Sequence, residues 1–147
     1  MSTFALDLAK FAEKAKERAD EAVGSVVVGI AAELDRRSPV GDAKYWKHPA
    51  PKGYVGGHFR ANWQLAIGSM PNGEVPGVDP TGASAQARIM AAIPDDASGR
   101  VYYLANNVPY AQRIEYGWSR QAPEGLVGLT VLMFREIVEN AVAGAKP

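Results

Sequence analysis

Residues 3–39 read TFALDLAKFAEKAKERADEAVGSVVVGIAAELDRRSP, and the fold turns on this stretch. Apolar residues recur at Phe4, Leu8, Phe11, Ala15, Ala19, Ala22, Val26, Ile30 and Leu34, a spacing of threes and fours that keeps them on one side of an α-helix. Lys10, Glu13, Lys14, Glu17, Arg18, Asp20 and Glu21 lie between them and supply a charged, solvated face. Ser2 or Thr3 stands where an N-cap belongs. Pro39 disfavours helical geometry at Ser38, so the helix should end near Arg37. Gly24 and Gly29 weigh against an unbroken rod, each costing about 1 kcal/mol relative to alanine. Such a helix spans roughly 50 Å at 1.5 Å per residue, more than a compact domain of this size can cover. Part of its apolar stripe must therefore meet a bend or another subunit.

Beyond the helix, residues 38–58 are dense in proline and glycine and read as a loop. From Phe59 to Ile67 the residues alternate. Phe59, Ala61, Trp63, Leu65 and Ile67 share one side and Arg60, Asn62 and Gln64 the other, which predicts a strand. A second loop over 68–82 leads to a short amphipathic helix from Ala83 to Ala92, stopped by Pro94. The turn Asp95-Asp96-Ala97-Ser98-Gly99 feeds a second strand, Arg100 to Asn106. Pro109 opens a short helix through Arg113 to Tyr116, with Gly117 as a left-handed C-cap. After the loop Trp118 to Gly125, a final helix carries Leu129, Leu132, Met133, Glu136, Ile137 and Val138.

Composition narrows the function. The 147 residues, 47% hydrophobic and 22% charged, fit one soluble domain with a real core. With 16 Lys and Arg against 16 Asp and Glu, the chain lacks the basic excess of a general polyanion binder, which demotes nucleic acid as the main partner. The absence of cysteine removes disulfides, zinc–thiolate sites and thiol nucleophiles, and suits a reducing compartment. No apolar signal-peptide core follows Met1, and the run from Val26 to Ala32 is far shorter than the ~20 residues that cross a bilayer. A soluble protein made in a cytoplasm, with no membrane partner, is expected.

Catalytic patterns are sparse. His48 and His58 sit ten residues apart in a Gly/Pro-rich loop and match no familiar metal spacing. No G-x-S-x-G occurs. Gly53-Tyr54-Val55-Gly56-Gly57-His58 lacks the G-K-[ST] ending of a phosphate cradle and reads as a turn ahead of a strand. Asp95 and Asp96 resemble turn initiators more than a working carboxylate pair. The residues therefore assign no catalytic group, no cofactor and no metal.

The segment from Tyr103 to Gly125 stands out instead, because it packs aromatics, Arg113, Glu115 and two glycines into a strand, a short helix and a loop. It has two readings. In one it is a core corner that buries Tyr110, Ile114 and Tyr116. In the other it is an assembly surface, since Trp, Tyr and Arg dominate interface energetics.

Four stretches in order carry a resemblance: Ser38-Pro39-Val40-Gly41; Gly57-His58-Phe59-Arg60-Ala61-Asn62-Trp63; Asn106-Asn107-Val108-Pro109-Tyr110-Ala111-Gln112-Arg113-Ile114-Glu115-Tyr116-Gly117-Trp118-Ser119; and Gln121-Ala122-Pro123-Glu124-Gly125-Leu126-Val127. Together they resemble the siphovirus tail-completion and neck proteins that include the lambda Z-like minor tail proteins. With the long helices, the likeness covers most of the chain. One departure is plain: Gly41-Asp42 stands where that family has Asp-Thr-Gly, and Ala43 to Val55 looks inserted, so the resemblance implies nothing about that loop.

The resemblance implies a single α+β domain over residues 1–147, with a long N-terminal helix, a small and mostly antiparallel sheet, a short helix and a C-terminal helix. It further implies a homo-oligomeric ring, hexameric in that family, among other neck and tail-tube proteins at the head–tail junction of the virion. Assembly would take place in the host cytoplasm, with passing contact with phage DNA. On this reading Arg60, Trp63, Tyr110, Arg113, Glu115, Tyr116, Trp118, Ser119, Arg120 and Gln121 are the assembly candidates. Arg60 is expected to pair with Glu115, and Trp118 to Gln121 to touch a neighbouring subunit. The competing expectations are a small enzyme built on His58 with Glu115 or Asp42, and a DNA-contacting neck subunit.

Overall fold

The computed structural model describes residues Ser2 to Ala145. In chain order it contains helix α1 (Thr3–Arg37), a single 3-10 turn (Ala43–Tyr45), helix α2 (His58–Ala61), strand β1 (Trp63–Ile67) and helix α3 (Ala83–Ala92). Strand β2 (Tyr102–Asn106) and helices α4 (Ala111–Glu115), α5 (Val127–Leu132) and α6 (Phe134–Gly144) complete it. The fold is α+β, as expected.

Helix α1 runs unbroken for 35 residues. Ser2 caps it by accepting the Ala5 amide, and Ser38 leaves it in extended backbone ahead of Pro39. Gly29 is tolerated for a packing reason: a Cβ there would lie 2.7 Å from Cγ2 of Ile137, so its absence lets α6 pack close against α1. The likeness of Ala83–Ala92 to a helix also holds, with Ile93 extended before Pro94.

The first strand is shorter than alternation predicts. Phe59 and Ala61 belong to a single helical turn, α2, and β1 begins only at Trp63. Asn62 decides this. It is fully buried rather than on the outer side, its Nδ2 donating to the carbonyls of His58 and Val75 and its Oδ1 accepting the Val75 amide. An Asn side chain that bonds local backbone offers the chain a turn in place of a ladder. The glycine-rich stretch before it consequently leads into a helical turn, not directly into a strand.

The two strands pair antiparallel, with Trp63 opposite Asn106, Leu65 opposite Leu104 and Ile67 opposite Tyr102. Arg100 and Val101 fall outside β2. The final helix is likewise divided, at Met133. Thr130 Oγ1 donates back to the Leu126 carbonyl at 2.8 Å, and the Met133 amide turns to the Thr130 carbonyl. Such back-bonding bends helices.

Around this frame Ala31, Leu34, Phe59, Trp63, Ile89, Val108, Ile114 and Leu126 form the core. Trp63 lies edge-on to Phe59 with ring centroids 5.8 Å apart and donates its indole N–H to Ser38 Oγ at 2.8 Å. The first half of α1 takes no part. Between Thr3 and Ala19 every residue except the half-buried Ala5 is exposed, Phe4, Leu8 and Phe11 among them.

Candidate assembly surface

Helix α4 ends in a Schellman motif, which builds the corner. The Gly117 amide donates to the Ile114 carbonyl and the Trp118 amide to the Arg113 carbonyl, each at 3.0 Å. Gly117 has φ +83°, and an added Cβ would meet the Pro123 carbonyl, so glycine is required there. The motif brings Trp118 over Arg113, whose guanidinium carbon lies 5.2 Å from the ring centroid. Tyr116 and Trp118 are 79% and 73% exposed. Tyr110, just ahead of α4, leans on Phe59 with ring centroids 6.3 Å apart.

Two side chains hold the corner from behind. Glu115 accepts the backbone N–H groups of Leu126, Val127 and Gly128 at 2.8–3.0 Å and so closes the open start of α5. Burial pushes its carboxyl up, but the donors of Gly128, Leu126 and Val127 outweigh this and leave it below its ordinary range. Gln121 grips the loop after α1 at two points, accepting the Val40 amide at 3.1 Å and donating to the Val40 carbonyl at 2.8 Å. Ser119 accepts the Gln121 amide. Arg120 remains exposed.

The expected Arg60–Glu115 pair does not form, because each group is already engaged. Arg60 donates to the Pro80 carbonyl at 2.8 Å and the Ser38 carbonyl at 3.1 Å, and its Nε faces Asp35 Oδ1 at 3.5 Å. At that separation the charges attract without a hydrogen bond, and both atoms are otherwise unpartnered. Burial raises the Asp35 carboxyl above its ordinary value, with Arg60 opposing and Asp79 reinforcing the shift. Arg60 therefore ties the end of α1 to the loop before α3. Trp63 also leaves the assembly set, being 3% exposed within the core.

Between the corner and residues 41–58 lies an open groove of about 640 Å³, lined by Asp42, Trp46, Tyr54, His58, Tyr110 and Trp118 among others. Trp46 and Tyr54 come from the inserted stretch, and their rings pack 4.6 Å apart. Sequence reasoning had no signal for them, since nothing local places that loop. His58 and Asp42 share this groove, yet the His58 ring bonds elsewhere, to the Gly77 carbonyl at 2.8 Å and Glu74 at 3.0 Å. Those two acceptors, Gly77 first, raise its pKa above the ordinary value.

Compared with protein-family models, curated proteins and solved structures, the chain gives no match. Its own geometry thus carries the reading. Of the candidate residues, Tyr110, Arg113, Tyr116, Trp118, Ser119, Arg120 and Gln121 come together at one corner, with Glu115 as its internal brace. Among the described residues no three His, Asp or Glu side chains converge as metal ligands, and no helix is long and apolar enough to cross a membrane.

Proposed function

We propose that this chain is a non-enzymatic structural virion protein of a tailed bacteriophage. It completes the head-proximal end of the tail or joins tail to head by ring-like self-assembly, with other neck and tail-tube proteins as neighbours. The observation that carries this reading is a braced corner with bare aromatics. Glu115, Gln121 and the Schellman turn fix the backbone, while Tyr116 and Trp118 remain in solvent. Rigid rings presented this way bury large area on contact at small entropic loss, which is what an assembly surface needs. The four motif stretches that resemble tail-completion proteins include this corner, which supports the same assignment. The exposed half of α1 adds apolar surface that a lone subunit leaves uncovered.

Mass photometry of the purified protein, followed by localisation in virions with a labelled antibody, tests the proposal. Oligomers and label at the head–tail junction are expected. A protein absent from virions overturns it, and salt-dependent retention on DNA would mark a DNA-contacting neck subunit instead.

A further inference from the structure

The arm formed by the first half of α1 presents Phe4, Leu8, Phe11 and Ala15 at alternating steps of four and three, the a/d pattern of a two-helix seam. Phe4 and Phe11 are 76% and 71% exposed. A solitary helical stretch of this length is marginal in water without a packed face. The same line of the helix continues through Ala22 to Gly29, and at its far end it is taken: Ile137 sits over Gly29, while Ala141 and Gly144 border the open groove beside Ser25, which stays exposed. Helix α6 thus runs beside the line as far down as Ser25, and among the described residues none covers it at Phe4, Leu8, Phe11 or Ala15.

We infer that the occupant is the arm of a second copy, packed antiparallel across a two-fold axis near residues 9 and 10. In that register Phe4 meets Ala15 of the second copy and Leu8 meets its Phe11, so in these layers large residues face small or matching ones. The flanking positions agree. Asp7 lies opposite Lys14 of the second copy, and neither has an ion-pair partner among the described residues of its own chain. Ala5, Ala12 and Ala19 line the other edge and allow close approach. Parallel pairing fails on the same residues, because it sets Arg18 against Arg18 in the seam and leaves Asp7 and Lys14 facing alanines. The second copy's tip reaches only to about Arg18, short of the end of α6, so both helices fit on one line.

This pairing extends beyond the virion proposal and does not depend on it. An isologous contact through the arms leaves the aromatic corner free for head-to-tail contacts. Failure of the pairing leaves the virion reading standing, and absence from virions leaves the pairing standing.

The chain has no cysteine, so single nitroxide labels can be placed at will. In the antiparallel pair, labels on Ala9→Cys lie level with each other, whereas labels on Glu17→Cys are offset by about 22 Å along the axis at 1.5 Å per residue. Pulsed dipolar spectroscopy is expected to return a clearly longer distance for Glu17→Cys than for Ala9→Cys. Phe11→Asp in the Ala9→Cys background should weaken pairing by about 100-fold while the aromatic circular dichroism of the domain is retained. Equal distances at both sites would establish a parallel pair and overturn the inference. Absence of intermolecular coupling, or coupling unchanged by Phe11→Asp, would overturn it as well.

Discussion

Glu115 Oε2 accepts the backbone N–H of Leu126 at 2.9 Å, so a carboxylate from one short helix closes the start of the next. The loop between them carries Trp118, and its two ends are thereby held at fixed separation. The corner is a consequence of capping.

Glu115→Gln should therefore lower stability by about 1–2 kcal/mol at neutral pH, through loss of a charged acceptor for three amides. The native carboxyl lies below its ordinary value of 4.5, so its contribution is full above that pH and fades as acid titrates the folded state. Urea melts of wild type and variant should converge on going from pH 7 to pH 3. An equal gap at both pH values would argue that charge is irrelevant to the clamp.

Arg60→Ala removes the partner of Asp35 and takes a donor from the carbonyl of the buried Ser38. A loss of about 3–5 kcal/mol is expected, since a mostly buried carboxylate is left uncompensated. Glu115→Gln should not share this effect, because the two residues do not touch. Additivity in the double variant checks the separation.

Asp20 anchors the turn after α3 to the middle of α1: its Oδ1 accepts both the amide and the hydroxyl of Ser98, and Oδ2 pairs with Lys16 at 2.7 Å. Lys16 first and then Ser98 hold its carboxyl down at about 2, from 3.8. A depressed carboxyl stabilises the fold above the unfolded value and loses that effect as pH falls through the folded one. Between pH 4 and pH 2 the wild type should lose stability faster than Asp20→Asn, as thermal melts across that range would show.

Gly29→Ala sets two effects against each other. Alanine favours the helix by about 1 kcal/mol, but its Cβ would press on Ile137, and overpacking typically costs 1–3 kcal/mol. The contact should win and lower Tm. Ile137→Ala removes the opposing methyl groups, so the double variant should fall short of the sum of the singles; strict additivity would show that the clash relaxes without strain.

Trp118→Ala should change stability by less than about 0.5 kcal/mol, because the ring is exposed and its main contact is Arg113. Its effect belongs to assembly. Light scattering should register smaller particles with an unchanged far-ultraviolet circular dichroism spectrum, whereas an unfolded variant would move Trp118 into the core.

Period and punctuation settled much of the fold in advance. The 3.6-residue spacing, Ser2 and Pro39 specified α1 to within a residue of either end, and Pro94 and Gly117 placed the stops of α3 and α4, because these signals act through neighbouring backbone alone. The aromatic corner was also legible, as a cluster of residue types in one continuous stretch. Contacts between distant residues were not. Alternation around Phe59 imitates a strand, but the amide of Asn62 found Val75, and a turn won. Arg60 and Glu115 looked like partners by charge, yet Asp35 and three bare amides reached them first. Trp63 had the composition of an interface and went to the core because Phe59 and Ser38 came together around it. Local backbone preference is written residue by residue, whereas the partner of a polar or aromatic side chain is chosen by whichever segment the whole chain brings within a few ångströms.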